Sequence, residues 1–284
     1  GTTDDKVKAA IKMYDEMSPD TSKYFRYMVD HNLLFLDAKP GKQSGGYMTY
    51  FPIKRTPIIF SNFNGTSGDV DVLTHEFGHA FQGFLGGEIK VPAYRSPTAE
   101  SCEIHSMSME FFAEPYMDLF FDESDKYRYV HLADSICFLP YGVSVDEFQH
   151  WVYAHPEATP AERDAAWHEI ECKYTPWKVK AEEKCEYLYS GHRWLTQSHI
   201  FEVPFYYIDY TLAQVCAFQF FNKDRRSHKN AWNKYIRLCK LGGKYPFCEL
   251  VKKVGLEVPF EDGVLAKTVK PLEKVLKDLH PENF

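Results

Sequence analysis

The sequence predicts a mainly α-helical protein with one small β-sheet, and three observations carry that prediction. Apolar residues recur with a period near 3.6 along most of the 284 residues. Residues 33–64 break the pattern: Gly41, Gly45, Gly46, Pro52 and Pro57 separate short β-prone runs such as "TPIIFSNF". In "ATPAERDAAW" a helix start is spelled out, with Thr159 as N-cap, Pro160 as first helical residue and Glu162 closing a capping box. With 44% hydrophobic and 16% aromatic residues the chain can close one large core or two smaller ones. No repeat or low-complexity linker interrupts it, so residues 1–284 read as one domain.

Taken in order, "DDKVKAAIKMYDEM" over residues 4–17 is an amphipathic helix with Val7, Ile11 and Tyr14 on one side. Residues 33–64 form the sheet, with glycine-rich turns. Within it the loop "GKQSGGY" can present backbone to an extended peptide, because Gly45 and Gly46 permit close approach; an ordinary hairpin turn explains it equally well. Helices resume near residue 69. Ser67 or Asp69 caps the next one, Asp71 sits in its first turn, and Gly86-Gly87 stops it, which predicts a helix over 70–85. In "RSPTAESCEIHSMSMEFFAEP" Ser96 caps a further helix, Pro97 starts it and Pro115 ends it.

Charge and cysteines exclude some classes. A net charge of -7 offers no basic field for nucleic acid or an anionic membrane surface. No apolar run approaches the ~20 residues of a membrane span, and the opening "GTTDDKVKAA" shows no targeting pattern. Seven cysteines form an odd set without a C-x-x-C pair, which points to reduced thiols and a cytoplasmic location.

The chemistry lies in "VLTHEFGHAFQ". Phe77, Ala80, Phe81 and Phe84 recur at i, i+3, i+4 and i+7 and are expected to face the core, leaving His75, Glu76 and His79 on the adjoining side. His75 and His79 are four apart, so both imidazoles can reach one ion, and zinc suits that pair. Glu76 points about 100 degrees round the helix from His75 and can reach an attacking water without being a ligand. The bland alternative is two structural histidines beside a helical glutamate. A catalytic zinc needs a third protein ligand and an open position. Glu100, Glu103 and Glu110 share nearly one stripe of the following helix, and spacing alone does not choose among them. Asp69, Asp71 and Glu110 are candidate acceptors for the far nitrogen of a ligand imidazole. His105 lies off the glutamate stripe and reads as packed or solvated.

"HEFGHAFQ", then "ESCEIHSMSMEFF", then "HIFEVPFYYIDYTLAQ" together resemble the thimet oligopeptidase and oligoendopeptidase F family of zinc peptidases. The likeness extends in order over "GKQSGGYMTY", "PIIFSNFNGTSGDVDVLT" and "LCKLGGKYPFCELVKKVGL", most of the chain. It implies a helical gluzincin-type catalytic domain with a small β-sheet near the zinc site, acting on short peptides as an endopeptidase. It selects Glu103 as the third ligand with His75 and His79, because the family's ligand glutamate precedes a second glutamate by seven positions. It makes Glu76 general base and then general acid, and assigns His199, Tyr207 and Tyr210, among the candidates His199, Tyr206, Tyr207 and Tyr210, to the oxyanion. The stretch from His199 to Tyr210 is one residue off the spacing of the thimet branch. Family members also carry a helical region ahead of this segment that forms one wall of a substrate channel. No counterpart is legible here, so a helical segment completing the channel is an expected partner. Two alternatives stand beside this reading: a metallocarboxypeptidase, marked by a carboxylate-binding arginine such as Arg95 or Arg193, and a non-hydrolytic zinc-stabilised module, against which the intact Glu76 speaks.

Overall fold

The computed structural model describes residues 1–177 and 185–284. They divide into two compact units, Gly1–Leu132 with Ala213–Phe284, and Ala133–Leu212. The division falls inside helices, which is why no linker in the sequence marks it.

In the first unit, α1 (Thr3–Met17) opens on a capping box between Thr2 and Asp5. Its buried stripe is Lys6, Ala10, Met13, Tyr14 and Met17. The expected stripe through Val7 and Ile11 is rotated because the Lys6 ammonium is drawn inward onto the buried Asp69 carboxylate. Helix α2 (Pro19–Asp30) follows, capped by Ser18 with Pro19 at its start. Strands β1 (Leu34–Asp37), β2 (Tyr47–Phe51) and β3 (Thr56–Phe63) make the anticipated sheet in the order β1-β3-β2. β1 runs parallel to β3, and β2 pairs antiparallel with it from Tyr47 opposite Phe60 to Phe51 opposite Thr56, leaving β2 as an edge.

Helix α3 (Gly68–Gly86) carries the His75-Glu76-Phe77-Gly78-His79 run and packs against α2, β2 and β3. Beyond it come α4 (Ala99–Ala113), α5 (Ser124–Ala154), α6 (Pro160–Tyr174), α7 (His199–Glu202), α8 (Ile208–Asp224) and α9 (His228–Leu241), then α10 (Phe247–Lys253) and α11 (Val264–Asp278). α4 and α9 also lie on α3. Phe77 anchors one side through the rings of Tyr14 and Phe25, at 4.2 and 5.1 Å between centroids. On another, Phe81 meets Trp232 and Tyr235 of α9. Phe77, Ala80 and Phe81 are fully buried as expected, whereas Phe84 is only partly so. Of the expected caps, Ser67 stands at the N-cap of α3, whereas Ser96 is not that of α4. Asp69 does not cap α3: its carboxylate accepts from the N–H groups of Asn64 and Gly65 in the preceding turn. Residue 67 holds the N-cap position without a side-chain bond. The N-cap of α4 is Thr98, two residues beyond Ser96, and Pro115 stands in a 3₁₀ turn that extends α4 rather than cutting it.

Gly78 shows why the motif tolerates no side chain at one of its variable positions. A Cβ there would lie 2.6 Å from both the His105 carbonyl oxygen and the Ser106 Cα, because α3 and α4 touch backbone to backbone. Alanine gains ~1 kcal/mol of helix propensity, but a methyl wedged against backbone forces the helices apart at a cost that ordinary overpacking sets at ~1–3 kcal/mol or more. Gly78→Ala is therefore expected to lower the urea midpoint. A variant more stable than the parent would contradict the close packing.

In the second unit the helix start at Thr159 forms as read: Thr159 Oγ1 accepts from the Glu162 N–H, and the Glu162 carboxylate accepts from the Thr159 N–H. Its core is Val145, Phe148, Ala166, Trp167, Ile170 and Trp194. Among the described residues no helix is long and apolar enough to cross a membrane.

Candidate metal centre and active site

Three donors converge in the first unit. The Nε2 atoms of His75 and His79 lie 3.2 and 3.3 Å from Oε2 of Glu103, and the three ligand atoms all fall within 4.8 Å of one another. One turn of α3 brings the imidazoles together, and the close crossing with α4 brings the carboxylate. A tetrahedral zinc with bonds of about 2.0–2.1 Å sets neighbouring donors about 3.3 Å apart. The two measured edges fit that spacing, and three protein donors leave a fourth position open. Glu103 Oε2 also accepts from the Ser106 hydroxyl at 2.9 Å, which orients it. Glu100, indistinguishable by spacing, is outside the cluster.

Glu110 takes the outer position. Its Oε1 accepts from His75 Nδ1 at 2.7 Å and its Oε2 from His131 Nε2 at 2.8 Å. Burial alone would raise the Glu110 pKa, but the bonds from His131 and His75 outweigh it and bring it down to about 2, so the group is a carboxylate. With Nδ1–H given to Glu110, neutral His75 presents its Nε2 lone pair to the cluster. The other two acceptors weighed from sequence are employed elsewhere: Asp69 on Lys6 and the Asn64 turn, Asp71 on the hydroxyl of Tyr127. Where no cation binds, burial lowers the His75 pKa, yet Glu103 and Glu110 override it and hold it well above the usual value. Glu103 is held well below its own, burial being outweighed by His79 and His75. A cation held by His75, His79 and Glu103 would supply that positive charge instead. Removing one charged oxygen with Glu110→Gln is expected to weaken zinc binding by roughly 10–100-fold, the ordinary cost of losing an outer partner, as measured by competition with a chromogenic chelator. Unchanged affinity would show that Glu110 does not orient His75.

Glu76 stands beside the trio without joining it. It is buried close to the backbone of Met48 on edge strand β2, and its Oε2 has no hydrogen-bond partner. Burial raises its pKa against the opposing pull of His75 and His79. The glycine loop comes this close too: a Cβ on Gly46 would lie 3.7 Å from Glu76 Oε1. Gly45 before it has φ +91°, a conformation glycine adopts without strain.

His105 is packed: its Nδ1–H donates to the Cys102 carbonyl, and burial lowers its pKa to about 4. Arg95 Nε donates to the Ile89 carbonyl at 2.9 Å, and Arg193 faces Glu171 at 3.4 Å. The sequence reading missed His131, and no local signal marks it, since it arrives from a distant element.

The second unit gathers the aromatic candidates. His199 lies at the start of α7, with ring centroids 5.1 Å from Tyr207 and 5.6 Å from Tyr210, and Tyr207 and Tyr210 are 5.4 Å apart. Tyr206 stacks parallel to His199 at 6.2 Å, so all four residues of the motif form one cluster. Phe205, just before them, has φ +63°, costly for a side chain with a Cβ. Its N–H is held by the buried Gln149 carbonyl at 2.8 Å, which turns the chain into α8. Gln197 was also missed; its place two residues before His199 was the one available signal.

The description "Peptidase family M3" fits residues 17–269. Among solved structures, the chain is 53% identical to a PZ peptidase A with an inhibitor, with a TM-score of 0.94 over 98% of this chain and 49% of that one. It is 52% identical to a protein named as an oligoendopeptidase F, at 0.96, covering 100% and 50%. A protein of the same designation from Bacillus anthracis str. Ames is 47% identical at 0.88, covering 100% and 48%. The chain thus spans about half the length of these structures. Among curated proteins none matches.

Proposed function

The chain belongs to peptidase family M3, and from that membership we propose that it hydrolyses internal bonds of short peptides as a zinc-dependent oligoendopeptidase. One observation carries the reading: a half-buried His75-His79-Glu103 set at tetrahedral spacing, with the unpartnered, buried Glu76 oxygen beside it. A bound zinc supplies Lewis acidity, lowering the pKa of water to roughly 7 and polarising the scissile carbonyl. Glu76 accepts the proton of the attacking water and passes it to the departing amine. His199, Tyr207 and Tyr210 donate hydrogen bonds to the oxyanion, a role that rests on the family likeness. The extended substrate lies along the glycine loop and β2, where main-chain groups of an edge strand can pair with it. A helical segment forming the opposite wall of the channel is part of the same proposal. The dispersed cysteines favour a reducing, cytoplasmic setting.

A carboxypeptidase with the same ligands needs a cation directed at the substrate's terminal carboxylate. Arg95 is turned onto a backbone carbonyl and Arg193 onto Glu171, which favours internal cleavage. The test is a mixed peptide pool incubated with the zinc-loaded protein and with the chelated protein, the products read by mass spectrometry. Internal cuts that vanish on chelation and return with zinc support the proposal. Stepwise loss of C-terminal residues would favour the carboxypeptidase, and intact peptides at full zinc loading would leave a zinc-stabilised module.

A further inference from the structure

An imidazole donates to an oxyanion from whichever nitrogen carries its proton, so the tautomer of His199 decides which atom can act. In the second unit a run of side chains ends on this ring. Glu171, buried, accepts from Trp167 Nε1 at 2.9 Å and faces Arg193 Nη1 at 3.4 Å. The Arg193 guanidinium lies 5.0 Å from the centre of the Tyr141 ring. Tyr141 O–H is 3.0 Å from Gln197 Oε1, Gln197 Nε2 is 2.6 Å from His199 Nδ1, and His199 Nε2 is 3.4 Å from the Tyr210 hydroxyl.

The Gln197 amide sets the sense of these bonds. Its carbonyl oxygen faces Tyr141 and accepts the phenol hydrogen. That turns the amide nitrogen toward His199. An amide N–H₂ only donates, so Nδ1 must offer its lone pair and the ring proton sits on Nε2. From this run we infer that Gln197 is a positioning residue that locks His199 as the Nε2–H tautomer, oriented from behind by Tyr141. The ring donates from Nε2, on the side of Tyr210. The catalytic consequence rests on the oxyanion role proposed for His199; the tautomer does not.

Nitrogen-15 NMR of histidine-labelled protein at alkaline pH reads the tautomer directly, with the His199 signals identified by their loss in His199→Ala. The expected spectrum has the proton on Nε2. Gln197→Glu offers a carboxylate that accepts from Nδ1–H and is expected to reverse the pattern. With the donor misplaced, kcat falls roughly 10²-fold, as for loss of one oxyanion donor, while KM changes little. In the His199→Ala background the same substitution is expected to change kcat by less than about twofold, since a coupled pair loses its effect only once. If Gln197→Glu does not fold, Tyr141→Phe, which frees the amide to turn over, is expected to give a mixture of tautomers. A proton on Nδ1 in the parent protein, an unmoved proton in these variants, or an equal kcat loss with and without His199 overturns the inference. Full kcat in His199→Ala would instead remove His199 from the proposed mechanism, with the spectrum still deciding the tautomer.

Discussion

Glu76→Gln is expected to abolish most peptide cleavage while leaving zinc bound. The two oxygens of Glu76 are not among the three converging donors, and the amide replaces the carboxylate atom for atom beside Met48, so neither the ligand cluster nor the packing of α3 is disturbed. What is lost is a group able to take a proton and return it. General acid–base catalysis contributes typically 10²–10⁴-fold, and because one carboxylate serves both water activation and amine departure, kcat should fall toward the upper end of that range. In free energy that is about 3–5 kcal/mol of barrier. Zinc per chain, measured on the same preparation, should match the parent, and KM should stay near its original value because Glu76 acts on the reacting water. Loss of zinc in Glu76→Gln would mean that Glu76 is a ligand and that the assignment of Glu103 must be reopened.

Glu103→Ala is expected to lose the metal. Two imidazoles on adjacent turns of one helix remain, but the charged third donor, contributed by another helix and oriented by Ser106, is gone. The affinity loss should exceed the roughly 10–100-fold attached to an outer partner such as Glu110. In the unloaded protein the same change leaves His75 and His79 without the carboxylate that faces both of them, so thermal stability at neutral pH should fall as well. Glu100→Ala is the matched comparison: same helix, one turn away, outside the cluster, and expected to retain zinc. The ranking of the three variants, Glu103 far below Glu110 and Glu110 below Glu100, is the measurement. Zinc retention in Glu103→Ala with loss in Glu100→Ala would reverse the ligand choice.

Period and spacing determined a good deal by themselves. A four-residue separation puts two side chains on one helical face whatever surrounds them, so the His75–His79 pair was legible, as were the capping box at Thr159 and the sheet in the glycine- and proline-rich stretch. These are local properties, carried by a few consecutive backbone angles. The choice among Glu100, Glu103 and Glu110 was not local. All three lie on one stripe, and what separates them is how far along α4 the crossing with α3 falls, which the contact at Gly78 sets; only resemblance to a family could anticipate it. The rotated stripe of α1 has a similar cause, since Lys6 goes inward for a carboxylate 63 residues away. So do the partners that orient the site residues: His131 on Glu110 and Tyr141 on Gln197. Each pair is distant in sequence, and hydrogen-bond partners across that distance are chosen by packing, on which the spacing of residues along a chain places no constraint. Sequence alone determined which chemistry is available; tertiary structure decided which atoms face it, because ligand geometry and proton position depend on fractions of an ångström between elements that only the folded core brings together.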